Sequence, residues 1–261
     1  MIKFSIITVV KNDLIGLKKT FHSIRSQIFE NYEWIVIDAL SEDGCSEFLE
    51  SLNQANIKFI SEKDNGIYDG MNKGIKLCSG DYVIFLNAGD FFVTDMVLNK
   101  IKDCLIENPS DVFFGNVRMK FKNTSFIRGF RRVSSSQSLT SLPGHHQGTF
   151  YRAGLLKKFP YQEDYFISGD YYIICKLFKE GFQHYVYADT IVSEFEVGHF
   201  SYNNIFAIWN CSNKIQKDIL NLKFHFRIGS ALKRLLNSFV IIILHTIPRI
   251  PVRFGIIKPK F

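Results

Sequence analysis

At 261 residues, 46% hydrophobic and 22% charged, the chain has ample apolar material for one large globular domain or two closely packed halves, which excludes a disordered segment. Its net charge of +7 is unevenly spread: residues 1–111 sum to −6, residues 112–162 hold nine Lys/Arg and no acid, residues 163–218 sum to −4, and residues 219–261 carry eight Lys/Arg and no acid. Five scattered cysteines, Cys45, Cys78, Cys104, Cys175 and Cys211, odd in number and without CxxC spacing, argue against a disulfide framework or a zinc site and fit a reducing cytoplasm.

The opening run from Met1 to Val10 has one lysine and an apolar stretch. Lys11-Asn12-Asp13 stands where a cleavable leader needs small residues, so the run reads as a first buried strand. Leu14, Leu17, Phe21, Ile24 and Ile28 then recur at helical spacing, with Lys18, Lys19 and Arg25 on the other face. Trp34 to Ile37 predicts a strand, Phe48 to Leu52 a short helix, Ile57 to Ile60 a strand, Ile67 to Leu77 a helix and Tyr82 to Leu86 a strand. Such alternation predicts a mostly parallel sheet covered by helices on both faces. After a helix around Met96 to Leu105 the pattern becomes mixed: Val112 to Phe114, Val117 to Phe121 and Ser125 to Phe130 read as short strands and 134–138 as a loop. Gly169 to Lys179 reads as a helix, His184 to Tyr187 and Ile191 to Phe195 as extended, and Ile205, Ile208, Trp209, Ser212, Ile215 and Ile219 mark an amphipathic helix.

The last forty or so residues interleave basic side chains with Phe224, Phe226, Ile228, Leu232, Leu235, Leu236 and the run from Phe239 to Leu244. A spanning helix needs about 20 apolar residues, and His245, Pro248 and Arg249 interrupt this run. Two readings stand: a basic amphipathic segment lying on an anionic membrane surface, or a helix packed on the domain with a solvated basic face.

The acidic first half poses a problem, because sheets of this type commonly bind nucleotides, which are themselves anionic. A divalent cation resolves it. Asp90, just past the strand ending at Leu86, has the hard carboxylate that bridges Mg²⁺ or Mn²⁺ to diphosphate oxygens; Asn87, Gly89 and Asp90 are equally the residues of a turn. His146 and Gln147 follow a Leu142-Pro143-Gly144-His145 loop, and without further ligands at metal spacing they read as substrate contacts. The basic belt of Arg118, Lys120, Lys122, Arg128, Arg131 and Arg132 would either meet a phosphorylated lipid carrier or lie on a solvated surface.

Several segments taken in order carry a family resemblance. They are Ile6 to Asn12, Val36 to Gly44, Glu62 to Gly74, Leu86-Asn87-Ala88-Gly89-Asp90, His145 to Arg152, Ile167 to Tyr172 and Phe195 to Gly198, together spanning roughly residues 4–200. They resemble family two glycosyltransferases of the GT-A fold, closest to those that build bacterial capsule, colanic-acid-like and O-antigen polysaccharides. The resemblance implies an inverting transfer from a nucleotide-diphosphate sugar to a lipid-linked glycan, with Mn²⁺ or Mg²⁺, on the cytoplasmic face of the membrane. It places Thr8, Val10, Asn12, Asp38, Asp64, Asp69, Asn72, Lys73, Asn87 and Ala88 around the donor. Asp90 matches the last acid of the metal-binding DxD element, whose earlier acidic positions are here Asn87 and Gly89. Asp170, at the start of a predicted helix, matches the base that takes the acceptor's proton; read from the residues alone it is a helix cap before it is a base.

The implied architecture is a Rossmann-like, mostly parallel sheet flanked by helices, with a C-terminal basic helical extension. Residues 1–115 form the nucleotide-sugar and metal half, 116–222 the acceptor half, and 223–261 the membrane-associating tail. Two rivals are weaker. A sugar nucleotidyltransferase would need a glycine-rich phosphate loop after the first strand, which Val10-Lys11-Asn12-Asp13-Leu14-Ile15-Gly16 lacks. A nucleic-acid binder would suit the sequence pI of 9.1, but the positive charge is split between two segments and the strand-end acids repel phosphate.

Overall fold

The computed structural model describes residues 1–52, 54–121, 124–182, 184–197, 204–232 and 235–236. β1 (Phe4–Val10) is buried throughout and pairs in parallel with β2 (Tyr32–Asp38) and β4 (Tyr82–Phe85); β2 pairs in parallel with β3 (Ile57–Ser61). These four strands are joined by α1 (Leu14–Arg25), α2 (Cys45–Glu50) and α3 (Ile67–Leu77). Beyond β4 come β5 (Phe91–Phe92), α4 (Val97–Glu107), β6 (Val112–Lys120), β7 (Ser125–Arg128), β8 (Thr149–Arg152), α5 (Ala153–Lys158), α6 (Gly169–Lys179), β9 (Tyr185–Glu196) and α7 (Ile205–Asp218). The sheet runs β3-β2-β1-β4-β8-β6-β9-β5, with β7 paired to β6.

The parallel expectation therefore holds for the first four strands and gives way to a mixed sheet, because β8 enters antiparallel to both β4 and β6. The two short strands expected at 112–121 are one, irregular at Gly115 and Asn116, and the two extended pieces at 184–195 merge into the twelve residues of β9. Neither β5, β8 nor α5 is signalled by periodicity; each is held by a neighbour rather than by its own pattern.

Alternation along β1 sorts the core into two layers. Phe4, Ile6 and Val10 face Leu17, Phe21 and Ile101, from α1 and α4, whereas Ile7 and Val9 face Met71, Ile75, Tyr172 and Ile215, from α3, α6 and α7. At the far end from the strand C-termini, Glu33 is buried among Ser5, Ser79, Gly80 and Lys58. Its Oε1 accepts from Ser5 Oγ at 2.6 Å and its Oε2 meets Lys58 Nζ at 2.8 Å. Burial pushes this carboxyl up, but Lys58, Ser5 and Ser79 outweigh burial and hold it at about 2. A folded pKa below the unfolded one stabilises fully above the ordinary 4.5 and is lost as pH falls toward 2. Glu33→Gln is accordingly expected to cost roughly 3 kcal/mol at neutral pH. Urea unfolding should show the deficit shrink below pH 4.5; equal deficits at neutral and acidic pH would contradict this assignment.

Among the described residues no helix is long and apolar enough to cross a membrane. Residues 224–232 are helical. This segment is anchored where Gln216 Nε2, fully buried in α7, donates to Ser230 Oγ at 2.8 Å, to Tyr171 Oη at 3.0 Å and to the Thr140 carbonyl at 3.2 Å. Tyr171 Oη in turn donates to the Leu139 carbonyl. Phe224, Ile228, Leu232 and Leu236 remain exposed. The apolar run from Phe239 to Leu244 lies outside the described residues, as does Lys122.

Candidate active site

The C-terminal ends of β1, β2 and β4 open on one edge of the sheet, where ligands of open α/β sheets bind. After β1, Asn12 takes a left-handed conformation (φ 52°), and its Oδ1 accepts from Glu42 N at 2.8 Å while its own N–H donates to Ser41 Oγ at 2.8 Å. Asp38 closes β2, fully buried, and accepts from Ser61 Oγ at 2.6 Å and from Ser41 N at 3.2 Å. The β3–α3 loop is self-bound: Asp64 accepts from Gly66 N, Asp69 from Asn65 N, and Lys73 bridges Glu62 at 2.9 Å and Asp69 at 3.7 Å. Two expected donor contacts are committed to the fold. Thr8 Oγ1 donates to the Leu86 carbonyl and accepts from Trp34 Nε1, and the Asn72 amide makes a reciprocal pair with the Tyr161 backbone, each bond 2.9 Å.

After β4, residues 87–90 form a turn in which Gly89 takes φ 93°, Asp90 N donates to the Asn87 carbonyl, and Asn87 N donates to Asp90 Oδ2 at 3.2 Å. Thr20 of α1 pins it, donating to the Asp90 carbonyl at 2.7 Å and accepting from Gly89 N at 3.1 Å. The turn reading of these residues is thus realised. It does not use up Asp90: burial pushes this carboxyl up to about 7, against the pull of His146, the Asn87 N–H, Gln147 and Lys19.

Asp170 comes from the other half. It is the second residue of α6, whose cap is Ser168, and its carboxylate turns away from the helix's backbone N–H groups to accept from His146 Nδ1 at 2.7 Å. Gly169 makes this possible, since a Cβ there would lie 2.8 Å from the Tyr68 ring and 2.9 Å from the Tyr161 ring. Asp170 Oδ1 is buried without a partner, as is Tyr161 Oη. Burial, and then the charge of Asp170, raise the hydroxyl pKa values of Tyr68, Tyr151 and Tyr161, so all three remain protonated beside the carboxylate. Tyr68 and Tyr161 stack at 4.9 Å.

His146 joins the two halves. Nδ1 holds Asp170, and Nε2 faces the Asn87 amide nitrogen at 3.5 Å. Burial lowers its pKa, but the charge and hydrogen bond of Asp170, followed by the charge of Asp90, raise it overall and favour the imidazolium. A half-turn of the Asn87 side chain would offer Nε2–H the amide oxygen, which is otherwise buried and unpartnered. His145 behaves oppositely: burial, then Arg128 and His146, hold it well below the usual range, and its ring packs on Phe195 at 5.3 Å. The result is an alternation of Asp90, His146 and Asp170 across the seam between β4 and α6.

Among the described residues no three His, Cys, Asp or Glu side chains converge on a point that would hold an ion unaided. Asp90, with the unpartnered Oδ1 of Asn87 and Oε1 of Gln147 nearby in the fold, nonetheless supplies hard oxygen donors. That fits Mg²⁺ or Mn²⁺, which commonly bind through one or two carboxylates and complete their shell with substrate phosphates and water. The tyrosines around Asp170 and the Thr20 pin were not anticipated from the sequence; an aromatic inside the polar 61–74 stretch is the one signal that could have found Tyr68.

Residues 5–182 match the family described as Glycosyl transferase family 2. The chain is 32% identical over 172 residues to a glycosyltransferase of Mycobacterium tuberculosis strain H37Rv, covering 64% of this chain and 65% of the relative. It is 30% identical over 181 residues to a PGL/p-HBAD biosynthesis glycosyltransferase of Mycobacterium bovis, covering 64% and 66%. The match therefore spans just under two thirds of these relatives' length. Among solved structures it is similar to Staphylococcus aureus TarS 1-349 in complex with UDP-GlcNAc, with a TM-score of 0.66, 19% identity and coverage of 91% of this chain and 73% of that one. The mannosyltransferase PcManGT from Pyrobaculum calidifontis, in complex with GDP-Man and Mn²⁺, superposes at a TM-score of 0.63 with 12% identity, covering 92% and 75%. These likenesses identify the fold as GT-A.

Proposed function

The chain belongs to glycosyl transferase family 2, and we propose that it transfers a sugar, with inversion, from a nucleotide-diphosphate donor to a lipid-linked glycan in bacterial surface polysaccharide synthesis. The observation that carries this reading is the Asp170 carboxylate: one oxygen is fixed by His146 and the other is unpartnered, across the seam from Asp90. Asn12, Asp38, Asp64, Asp69, Lys73, Asn87 and Ala88 line the donor edge, with Thr8, Val10 and Asn72 shaping it from behind. Asp90 would hold Mn²⁺ or Mg²⁺, whose charge neutralises a departing diphosphate.

In this reading the acceptor hydroxyl oxygen forms a bond to the anomeric carbon as the bond from that carbon to the diphosphate oxygen breaks. Its electron pair leaves with the diphosphate, and the hydroxyl proton passes to Asp170 Oδ1. His146 keeps Asp170 oriented, and Tyr68 and Tyr161 shield it from water. Residues 1–115 serve the donor and 116–222 the acceptor, on one continuous sheet.

The test is calorimetric titration of the full chain with UDP, GDP, CDP, ADP and dTDP in Mn²⁺, followed by NMR of the transferred product. One nucleotide should bind and the anomeric configuration should invert; binding of none, or retention, would overturn the reading.

Residues 223–261 are proposed as a peripheral anchor on the inner membrane face. The exposed Phe224, Ile228 and Leu232 and the excess of Lys/Arg support this, each basic residue near an anionic leaflet contributing about 1 kcal/mol. The full chain should co-sediment with phosphatidylglycerol vesicles and be largely released by high salt. Equal sedimentation with phosphatidylcholine, or none with either, would assign the segment to packing instead.

A further inference from the structure

Three tyrosines surround Asp170, and their hydroxyls are not equally occupied. Tyr151 has Thr149 beside its hydroxyl, and Tyr68 has the backbone N–H groups of Asp170 and Gly169. Of the three, Tyr161 is the one whose Oη is buried without a partner among the described residues, as is Asp170 Oδ1. A buried polar atom left unbonded costs free energy, so two of them side by side call for a third group that satisfies both.

Tyr161 has no freedom to look elsewhere. The Asn72 amide clamps its backbone N–H and its carbonyl, each bond 2.9 Å. Its ring stacks on Tyr68 at 4.9 Å and meets Phe85 edge-on at 5.7 Å. A Cβ on Gly169 would stand 2.9 Å from Tyr161 Cδ1, so the ring lies directly against the first turn of α6, beside Asp170. Burial, and then the charge of Asp170, keep the hydroxyl protonated, which makes it a standing donor. Hydroxyl and carboxylate are thus within each other's influence yet not bonded. The atom that fits between a fixed donor and a fixed acceptor is one that both accepts and donates, and an alcohol oxygen does so.

We propose that Tyr161 is a catalytic residue whose hydroxyl donates to the attacking oxygen of the acceptor while that oxygen donates its own proton to Asp170 Oδ1. The inference rests on the transferase reading above and adds the second contact that aims the nucleophile. The alcohol oxygen gives its proton to Asp170, one lone pair to the new bond with the anomeric carbon and the other to the hydrogen bond from Tyr161. The bond from that carbon to the diphosphate oxygen breaks with its electron pair, and Tyr161 keeps its proton throughout. An amine nitrogen has a single lone pair and cannot both attack and accept from Tyr161, so the arrangement selects a hydroxyl acceptor.

Tyr161→Phe removes this oxygen and nothing else. Because the oxygen has no partner in the free protein, melting temperature should stay level or rise, whereas Tyr68→Phe, which strips a hydroxyl already met by backbone N–H groups, should lower it. Water is itself a hydroxyl nucleophile, so the rate can be read without an acceptor, as nucleoside diphosphate released from sugar esters of UDP, GDP, CDP, ADP and dTDP in Mn²⁺. On the ester that wild type hydrolyses, Tyr161→Phe should lower kcat about tenfold with KM for the donor unchanged. An unchanged kcat would overturn the proposal and leave the transferase reading standing. So would a melting temperature that falls together with the rate, since the hydroxyl would then have a structural partner. Release from none of the esters by wild type would overturn the transferase reading itself, and this inference with it.

Discussion

Asp170→Asn is expected to lower transfer by about two to four orders of magnitude while donor affinity and melting temperature stay near wild type. The carboxamide keeps an oxygen to accept from His146 Nδ1, now 2.7 Å from Asp170 Oδ2, but it removes the lone pair with proton affinity at the other position. Stability should hold because the carboxylate caps no backbone N–H of α6 and the carboxamide can still accept from His146 and the neighbouring Tyr161 hydroxyl. A second readout follows from the charge. The charge of Asp170 is the largest influence raising His146, opposed by burial, so the variant's imidazole should titrate lower by NMR. A fall in melting temperature matching the loss of rate, with His146 unmoved, would make Asp170 a structural residue.

Asp90→Asn is expected to abolish metal-stimulated transfer. Burial holds the Asp90 carboxyl at about 7, well above the ordinary 3.8, so below neutral pH the metal-free folded protein binds a proton that the unfolded chain has already released. Two consequences can be measured. Manganese must displace that proton, so titration at pH 6 should release close to one proton per ion and titration above pH 8 almost none; the variant should release none at either. In metal-free protein, the carboxyl withdraws stability progressively as pH rises from 3.8 to about 7, so the variant should gain on wild type over that interval and hold its gain above it. Unchanged metal-dependent rate in the variant would remove Asp90 from the metal site.

What could be read from the chain followed the range of the forces involved. The β1–α1–β2 and β3–α3–β4 alternation was legible because each element carries its own hydrophobic period; Asp90 was singled out because it follows a strand end, and Asp38 only through the family resemblance. The β8 strand was not, since its four residues are defined only by their antiparallel neighbours β4 and β6. The same limit hid the centre of the site. Asp170 and His146 were each singled out for a separate task, yet no spacing in sequence says that a residue 24 positions away completes the imidazole's hydrogen bond. Nor could it reveal that the Asn72 amide would be spent on the Tyr161 backbone, 89 positions distant.

The buried polar knot at Gln216 has a mechanical consequence. Ser230, in the basic C-terminal segment, is hydrogen-bonded to Gln216, and Gln216 to Tyr171, the immediate chain neighbour of Asp170. Three side chains therefore link the helical residues 224–232 to the first turn of α6. On the roles proposed for residues 223–261 and Asp170, seating the protein on a surface and holding the base would share these same three side chains.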